Sequence, residues 1–263
     1  MRKRRILIVD NDRFVVEALG DLLREAGFGV RKAYDGLEAL RAIRDEPPDV
    51  LILDLIMPKV DGARLCRYLR EDPRLKHIPV IVFSGLAARD MGEMAGLEAQ
   101  AFVAKGPLPV VAENLLKAVK GLAAGGGTAE PADVVFGYDG FRPRQVVTEL
   151  LALKRHHEHL LRHLEEGVVE ADANGAAVFL NPSAEAFLAV AEAGAVGRAL
   201  LELLPEEDRA GFREALASLG KDGGARPRHL TLRATSRPLT AVLHRVPPEG
   251  MHPGGYLLIL REG

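Results

Sequence analysis

Val50-Leu51-Ile52-Leu53-Asp54-Leu55-Ile56-Met57-Pro58-Lys59-Val60-Asp61-Gly62 is the stretch that decides the fold. A run this apolar reads as a strand buried on both faces, as in parallel sheets. Pro58 cannot extend a strand ladder, so the strand ends before it. Asp54 then stands at or just past the carboxyl end of a central strand, the edge where open α/β sheets bind ligands. A buried carboxylate costs free energy unless metal, cation or hydrogen-bond donors compensate it.

The sequence on both sides repeats this design. Ile6-Leu7-Ile8-Val9 runs into Asp10-Asn11-Asp12, Val30 to Ala33 is a weaker strand, Ile78 to Phe83 runs into Ser84-Gly85, and Ala101-Phe102-Val103-Ala104 into Lys105. Apolar residues at helical spacing lie between them: Phe14 to Leu23, Leu37 to Ile43, Ala63 to Leu69, Met91 to Ala95 and Val110 to Val119. Alternating strands and helices predict a doubly wound parallel sheet. Its carboxyl edge gathers two carboxylates, an amide, a hydroxyl and an ammonium. Oxygen donors of this kind suit a hard cation such as Mg2+, and lysine and serine suit phosphoryl oxygens.

These motifs, with Asp35-Gly36-Leu37-Glu38-Ala39-Leu40 and Asp61-Gly62, resemble the receiver domain of two-component response regulators over residues 1–122. The resemblance implies an α/β, flavodoxin-like (βα)5 fold with parallel sheet order 2-1-3-4-5. It implies that Asp54 is the phosphoacceptor, taking a phosphoryl group from a phosphohistidine on a histidine kinase or phosphotransfer protein. Mg2+ would be held by Asp10, Asn11, Asp54 and the backbone carbonyl of Ile56. Lys105 would pair with Asp54 and then with phosphoryl oxygen, Ser84 would donate to another, and Ser84 with Phe102 would form the switch. The fourth helix, fifth strand and fifth helix would be the readout surface.

The sequence departs from the family pattern at three positions. Asn11 replaces a second acid, so Mg2+ is expected to bind more weakly. Phe102 lacks the hydroxyl of the tyrosine often found there, and Lys105 is followed by Gly106 before Pro107. These departures leave open a receiver that folds yet is poorly phosphorylated. Asp10-Asn11-Asp12 is also a D-x-D after a strand, as in haloacid-dehalogenase-like phosphatases, but that reading leaves Asp54 and Asp61-Gly62 unexplained.

Beyond the receiver, residues 123–144 read as a flexible linker, rich in glycine and alanine from Gly121 to Thr128. Residues 130–143 carry Pro131, Gly137, Gly140 and Pro143 and are expected to be irregular, with Val134-Val135-Phe136 docking on a neighbour. Residues 145–165 read as a signalling helix. Val146, Leu150, Leu153, His157, Leu160 and Leu164 alternate spacings of four and three, the a/d pattern of a coiled coil over about three heptads. A homodimer through residues 145–164 is the expectation, against one amphipathic helix packed on its own domain. His157-Glu158-His159-Leu160-Leu161 misses H-E-x-x-H at its last residue, so His157, His159 and His163 read as solvated helix histidines.

Two strands, several helices and three more strands then predict an α+β antiparallel sheet. Residues 160–263 resemble a PAS sensor domain through Leu164 to Val169, Asp172-Ala173-Asn174-Gly175, Phe179-Leu180-Asn181-Pro182-Ser183-Ala184-Glu185, Val196-Gly197-Arg198 and Pro205 to Arg209. The PAS ligand cannot be read from the residues. This half has no cysteine for a flavin adduct and no histidine arguable as a haem ligand. An interaction module with a self-filled core is the default.

Composition narrows the rest. The 263 residues are 48% hydrophobic and 27% charged with a net charge of −2, which gives no global case for nucleic acid or an anionic membrane. There is no helix-turn-helix pattern, so DNA is not an expected partner. The single cysteine, Cys66, excludes an internal disulfide framework and fits a reducing cytosol. No apolar stretch reaches the ~18 residues of a membrane span. The expectation is a cytoplasmic two-component protein that is no enzyme apart from self-phosphotransfer, signalling through protein contacts with or via the PAS module. The alternative is a PAS small-molecule sensor or dimerisation scaffold with a weakly phosphorylated receiver.

Overall fold

A computed structural model describes residues 3–85, 97–123, 135–136, 153, 156–221, 226–233, 238–248 and 254–262. The chain divides into two compact units, residues 1–150 and 151–263.

In the first unit the elements run β1 (Arg5–Val9), α1 (Arg13–Glu25), β2 (Gly29–Ala33), α2 (Gly36–Asp45), β3 (Val50–Leu53), α3 (Gly62–Glu71), β4 (Val80–Ser84), β5 (Ala101–Ala104), α4 (Leu108–Ala123) and β6 (Val135–Phe136). The strands form one parallel sheet of order β2-β1-β3-β4-β5-β6. The doubly wound 2-1-3-4-5 sheet is therefore present, with one strand more. All four residues of β3 are buried, as its uninterrupted apolar sequence requires of a strand covered on both faces. Ile6, Ile8, Ile52 and Ile81 pack on one face with Val16, Leu19 and Leu23 of α1 and Val111, Leu115 and Val119 of α4. Alternation sends Leu7, Val9, Leu51 and Leu53 to the other face, where they are buried as deeply.

Side-chain caps fix where three helices start. Asp12 accepts from the Phe14 and Val15 amides, Asp35 from Glu38, and Asp61 from Arg64, each satisfying a donor that an α-helix leaves free at its first turn. The sixth strand corrects the expectation that residues 130–143 are irregular throughout. Val135 and Phe136 pair in parallel with Phe102 and Val103. The helix expected at Met91 to Ala95 lies outside the described residues.

In the second unit residues 156–162 are helical and are called α5. Then come β7 (Gly167–Asp172), β8 (Ala177–Leu180), α6 (Pro182–Leu188), α7 (Glu192–Ala195), a 3-10 turn (Leu200–Leu203), α8 (Glu206–Lys221), β9 (Arg228–Leu232), β10 (Leu239–Val246) and β11 (Gly255–Glu262). The antiparallel sheet has the order β8-β7-β11-β10-β9. The β7–β8 hairpin closes through Asp172, whose carboxylate accepts from the Asn174 and Ala176 amides. Gly175 has φ +78° there, a left-handed conformation that glycine adopts without steric cost. Helices cover one face of the sheet. Val169, Leu232, Ala241, Leu243, Leu258 and Leu260 pack against Ala184, Leu200, Leu204, Phe212 and Leu219.

Asn181 ties this unit together. Its carbonyl accepts from the Val168 and Ala184 amides, and its amide donates to the carbonyls of Leu161 and Glu166. All four hydrogen-bonding positions of the side chain are thus used. Ser183 adds a bond to the Leu164 carbonyl. The N-terminus of α6 therefore holds the end of α5 and its exit loop.

Candidate phosphoacceptor site

Asp54 follows β3 directly, and its amide donates to the Val9 carbonyl, which locks it beside Asp10 at the end of β1. Lys105 follows β5, and its amide donates to the Ser84 carbonyl, which extends the β4–β5 ladder by one step. The sheet thereby brings Asp10, Asp54, Ser84 and Lys105 to one edge. Asp10, Asp54 and Ser84 are buried. Lys105 Nζ spans the carboxylates, 2.7 Å from Asp10 Oδ2 and 2.9 Å from Asp54 Oδ2. It also lies 5.4 Å from the centre of the Phe83 ring. Ser84 Oγ is buried with no hydrogen-bond partner among the described residues. A buried hydroxyl left this way keeps an unmet donor.

Electrostatics follow from burial. Desolvation pushes the Asp54 carboxyl above its ordinary range, although Lys105 pulls against it and the Ile56 backbone also favours the ionised form. Burial alone would lower Lys105, but the charges of Asp54 and Asp10 outweigh it and hold the ammonium above an ordinary lysine. The site thus pairs a carboxylate that is costly to ionise with a cation that stays charged.

The loop after Asp54 is pinned at three points. A Cβ on Gly62 would come within 2.2 Å of the Asp54 carbonyl oxygen, and one on Gly36 within 1.9 Å of the Val60 carbonyl oxygen. Both positions need glycine for close backbone approach. Lys59, at φ +64°, reaches Asp35 Oδ2 at 2.6 Å. Asp35 thus caps α2 and holds the loop that carries Ile56. Sequence reasoning left Lys59 and Asp35 outside the site. The capping position of Asp35 was readable, but its long-range ion pair was not.

The other expected residues fall as follows. Asn11 is exposed beside Asp10, Ile56 is half-buried in the loop after Asp54, and Phe102 is buried in β5. Asp12 is committed to the α1 cap through 2.9 and 3.3 Å bonds, which takes away the second acid of the D-x-D reading. Among the described residues no three His, Cys, Asp or Glu side chains gather as a metal cluster. An oxygen site here therefore has two carboxylates and needs the Asn11 and Ile56 carbonyls besides. His159 and His163 have ring centres 4.3 Å apart with planes tilted by 48°, and no third ligand joins them among the described residues.

A family model for the response regulator receiver domain matches residues 6–120. Residues 6–120 are a response regulator receiver domain. A model for the PAS fold matches residues 155–260, so a PAS domain follows the receiver. Response regulator MprA from Mycobacterium avium is 42% identical over 120 residues, which are 45% of this chain and 50% of that protein. MprA from Mycobacterium tuberculosis is likewise 42% identical over 120 residues. The chain thus spans about half the length of the curated relatives it matches. Among solved structures, the signal receiver domain of a signal transduction histidine kinase from Syntrophus aciditrophicus is 33% identical. That match covers 45% of this chain and 91% of the other, with a TM-score of 0.40.

Proposed function

We propose that this chain is a two-component signalling protein whose receiver takes a phosphoryl group on Asp54 from a phosphohistidine of a histidine kinase or phosphotransfer protein. One observation carries the reading: Lys105 Nζ bridges two buried carboxylates at the sheet edge, and the Ser84 hydroxyl at the same edge is buried with no partner among the described residues. An Asp54 carboxylate oxygen attacks phosphorus, the donor P–N bond breaks, and the departing imidazole keeps the electron pair and takes a proton. Lys105 then turns from carboxylate to phosphoryl oxygen, and Ser84 donates to another.

The donor set fits Mg2+, since Asp10, Asp54, the Asn11 amide and the Ile56 carbonyl offer oxygen alone. The ion would supply charge neutralisation on the transferring group. Asn11 brings no charge, and Lys105 already occupies both carboxylates, so weak binding is expected. Output would run through protein contacts with or via the PAS domain, whose interior is filled by Phe212, Leu219, Leu243 and their neighbours. A homodimer through residues 145–164 fits the described part of the helix and its exit, where Leu153, Leu160 and Leu164 are exposed. No described helix is long and apolar enough to cross a membrane, and a cytoplasmic place is proposed. No catalytic activity beyond self-phosphotransfer is proposed.

Incubation with acetyl phosphate and Mg2+, followed by intact mass measurement, tests this reading. The wild type should gain one phosphoryl group, Asp54→Asn none, and Asp12→Asn one. Uptake that persists in Asp54→Asn would overturn the assignment. No uptake by the wild type would favour the second reading, motivated by Asn11, in which the receiver is a scaffold for a PAS module that senses a small molecule or dimerises.

A further inference from the structure

Strand β5 reads Ala-Phe-Val-Ala and has no charged side chain. Open edge strands present unpaired backbone groups, and proteins blunt them with charge or cover them. The far edge of this sheet, β2, carries Arg31 and Lys32. The β5 edge is covered by backbone instead. After α4 the chain returns and lays Val135–Phe136 parallel to Phe102–Val103, completing a strand–helix–strand unit whose last strand lies beyond the receiver match, which ends at residue 120.

The covered place is mechanically connected to the site. Val103 pairs with Phe136 on one side and with Phe83 of β4 on the other. Two residues further, the Lys105 amide is bonded to Ser84. The strand that β6 grips therefore carries Lys105 and is laddered to the strand carrying Ser84. A two-residue ladder is short enough to be marginal, so a small change in β5 biases it.

We propose that the β5 edge is a docking surface for this chain's own linker strand, Val135–Phe136, and that this strap holds while Asp54 is unphosphorylated and loosens when it is phosphorylated. The second half rests on the phosphoacceptor reading of Asp54. The docked strap coexists with Lys105 spanning Asp10 and Asp54. Turning Lys105 and Ser84 toward a phosphoryl group pulls on the ends of β5 and β4. Coupling between two sites is reciprocal, so a strap loosened by phosphorylation is also a strap that opposes it.

Amide hydrogen exchange on the full chain tests both halves. In Val135→Pro/Phe136→Pro the strap loses its donors, and the β5 amides facing β6 should exchange about tenfold faster or more. Unchanged exchange there would overturn the docking. With acetyl phosphate and Mg2+, whichever of the wild-type Val135 and Phe136 amides donates to β5 should exchange about fivefold faster or more, and Asp54→Asn should not respond. Phosphorylated wild type with unchanged exchange at these two amides would overturn the coupling. Intact mass, taken in parallel, separates the failures. No phosphoryl uptake removes the phosphoacceptor reading and the coupling together, while the proline arm still decides the docking. Phosphoryl uptake by the proline variant at or above the wild-type rate supports the coupling and shows an intact receiver. Slower uptake by a variant that keeps its native melting midpoint counts against the coupling.

Discussion

The two units differ in what their buried polar groups are left facing. In the PAS domain Asp172, Asn181 and Glu192 are buried, and each is bonded to backbone amides of the same unit. Those groups hold a hairpin, a helix end and a strand. In the receiver Asp10 and Asp54 are equally buried and each takes one backbone bond, Asp10 from the Asp12 amide and Asp54 from Ile56, yet the Oδ2 atoms of both turn to a single ammonium, and the buried Ser84 hydroxyl meets nothing among the described residues. An oxygen bonded to backbone gives rigidity, and one held by a movable side chain stays available to a ligand. The difference separates a polar core that is fully tied to backbone from one that keeps exchangeable contacts.

Three substitutions sharpen the contrast. The largest effect is expected for Asn181→Ala. It strands two buried amides and releases two carbonyls, a loss of about 3–5 kcal/mol when each buried unsatisfied group costs roughly 1–3 kcal/mol. Chemical denaturation should show the PAS transition moving to lower denaturant while the receiver transition stays. An equal shift of both would break the contrast. Next comes Gly62→Ala. Its new methyl meets the Asp54 backbone carbonyl rather than a flexible side chain, and overpacking of this kind costs about 1–3 kcal/mol. The receiver midpoint should fall and phosphoryl uptake with it.

The smallest effect has the opposite sign. Burial raises the Asp54 carboxyl, so its ionised form costs the fold more than the unfolded chain. That penalty is present at neutral pH and is relieved as pH falls through the raised folded value. Asp54→Asn should therefore raise the receiver's melting midpoint at neutral pH, with a gain that shrinks toward acid pH. A midpoint lowered at neutral pH would mean that the Lys105 pair outweighs desolvation.

Strand ends were the legible part of the sequence. An apolar run that stops at Asp10, Asp54, Ser84 or Lys105 states both the strand and its polar terminus, and a parallel sheet places all such termini on one edge. The PAS sheet was legible through the Asn174–Gly175 turn and the Asn181–Pro182 helix start. The sixth strand was not, because two residues set among Pro131, Gly137 and Gly140 have no period, and only the waiting β5 edge makes them a strand. Nor was the left-handed backbone at Lys59, since lysine signals no such conformation and its partner Asp35 is 24 residues away. Asn181 announced itself as a helix cap. Its bonds to Leu161 and Glu166 depend on how the preceding segment folds back, which local pattern does not encode.

The β7–β8 turn also has a chemical lifetime. Asn174 is exposed and followed by glycine, the pairing in which the next backbone nitrogen most readily attacks the side-chain amide and expels ammonia. In the closed hairpin that nitrogen donates to the Asp172 carbonyl at 2.9 Å, so attack waits for the turn to open locally. Each conversion leaves a new carboxylate at position 174, two residues from the buried Asp172. The slow accumulation of that product in stored protein would serve as a clock for hairpin opening.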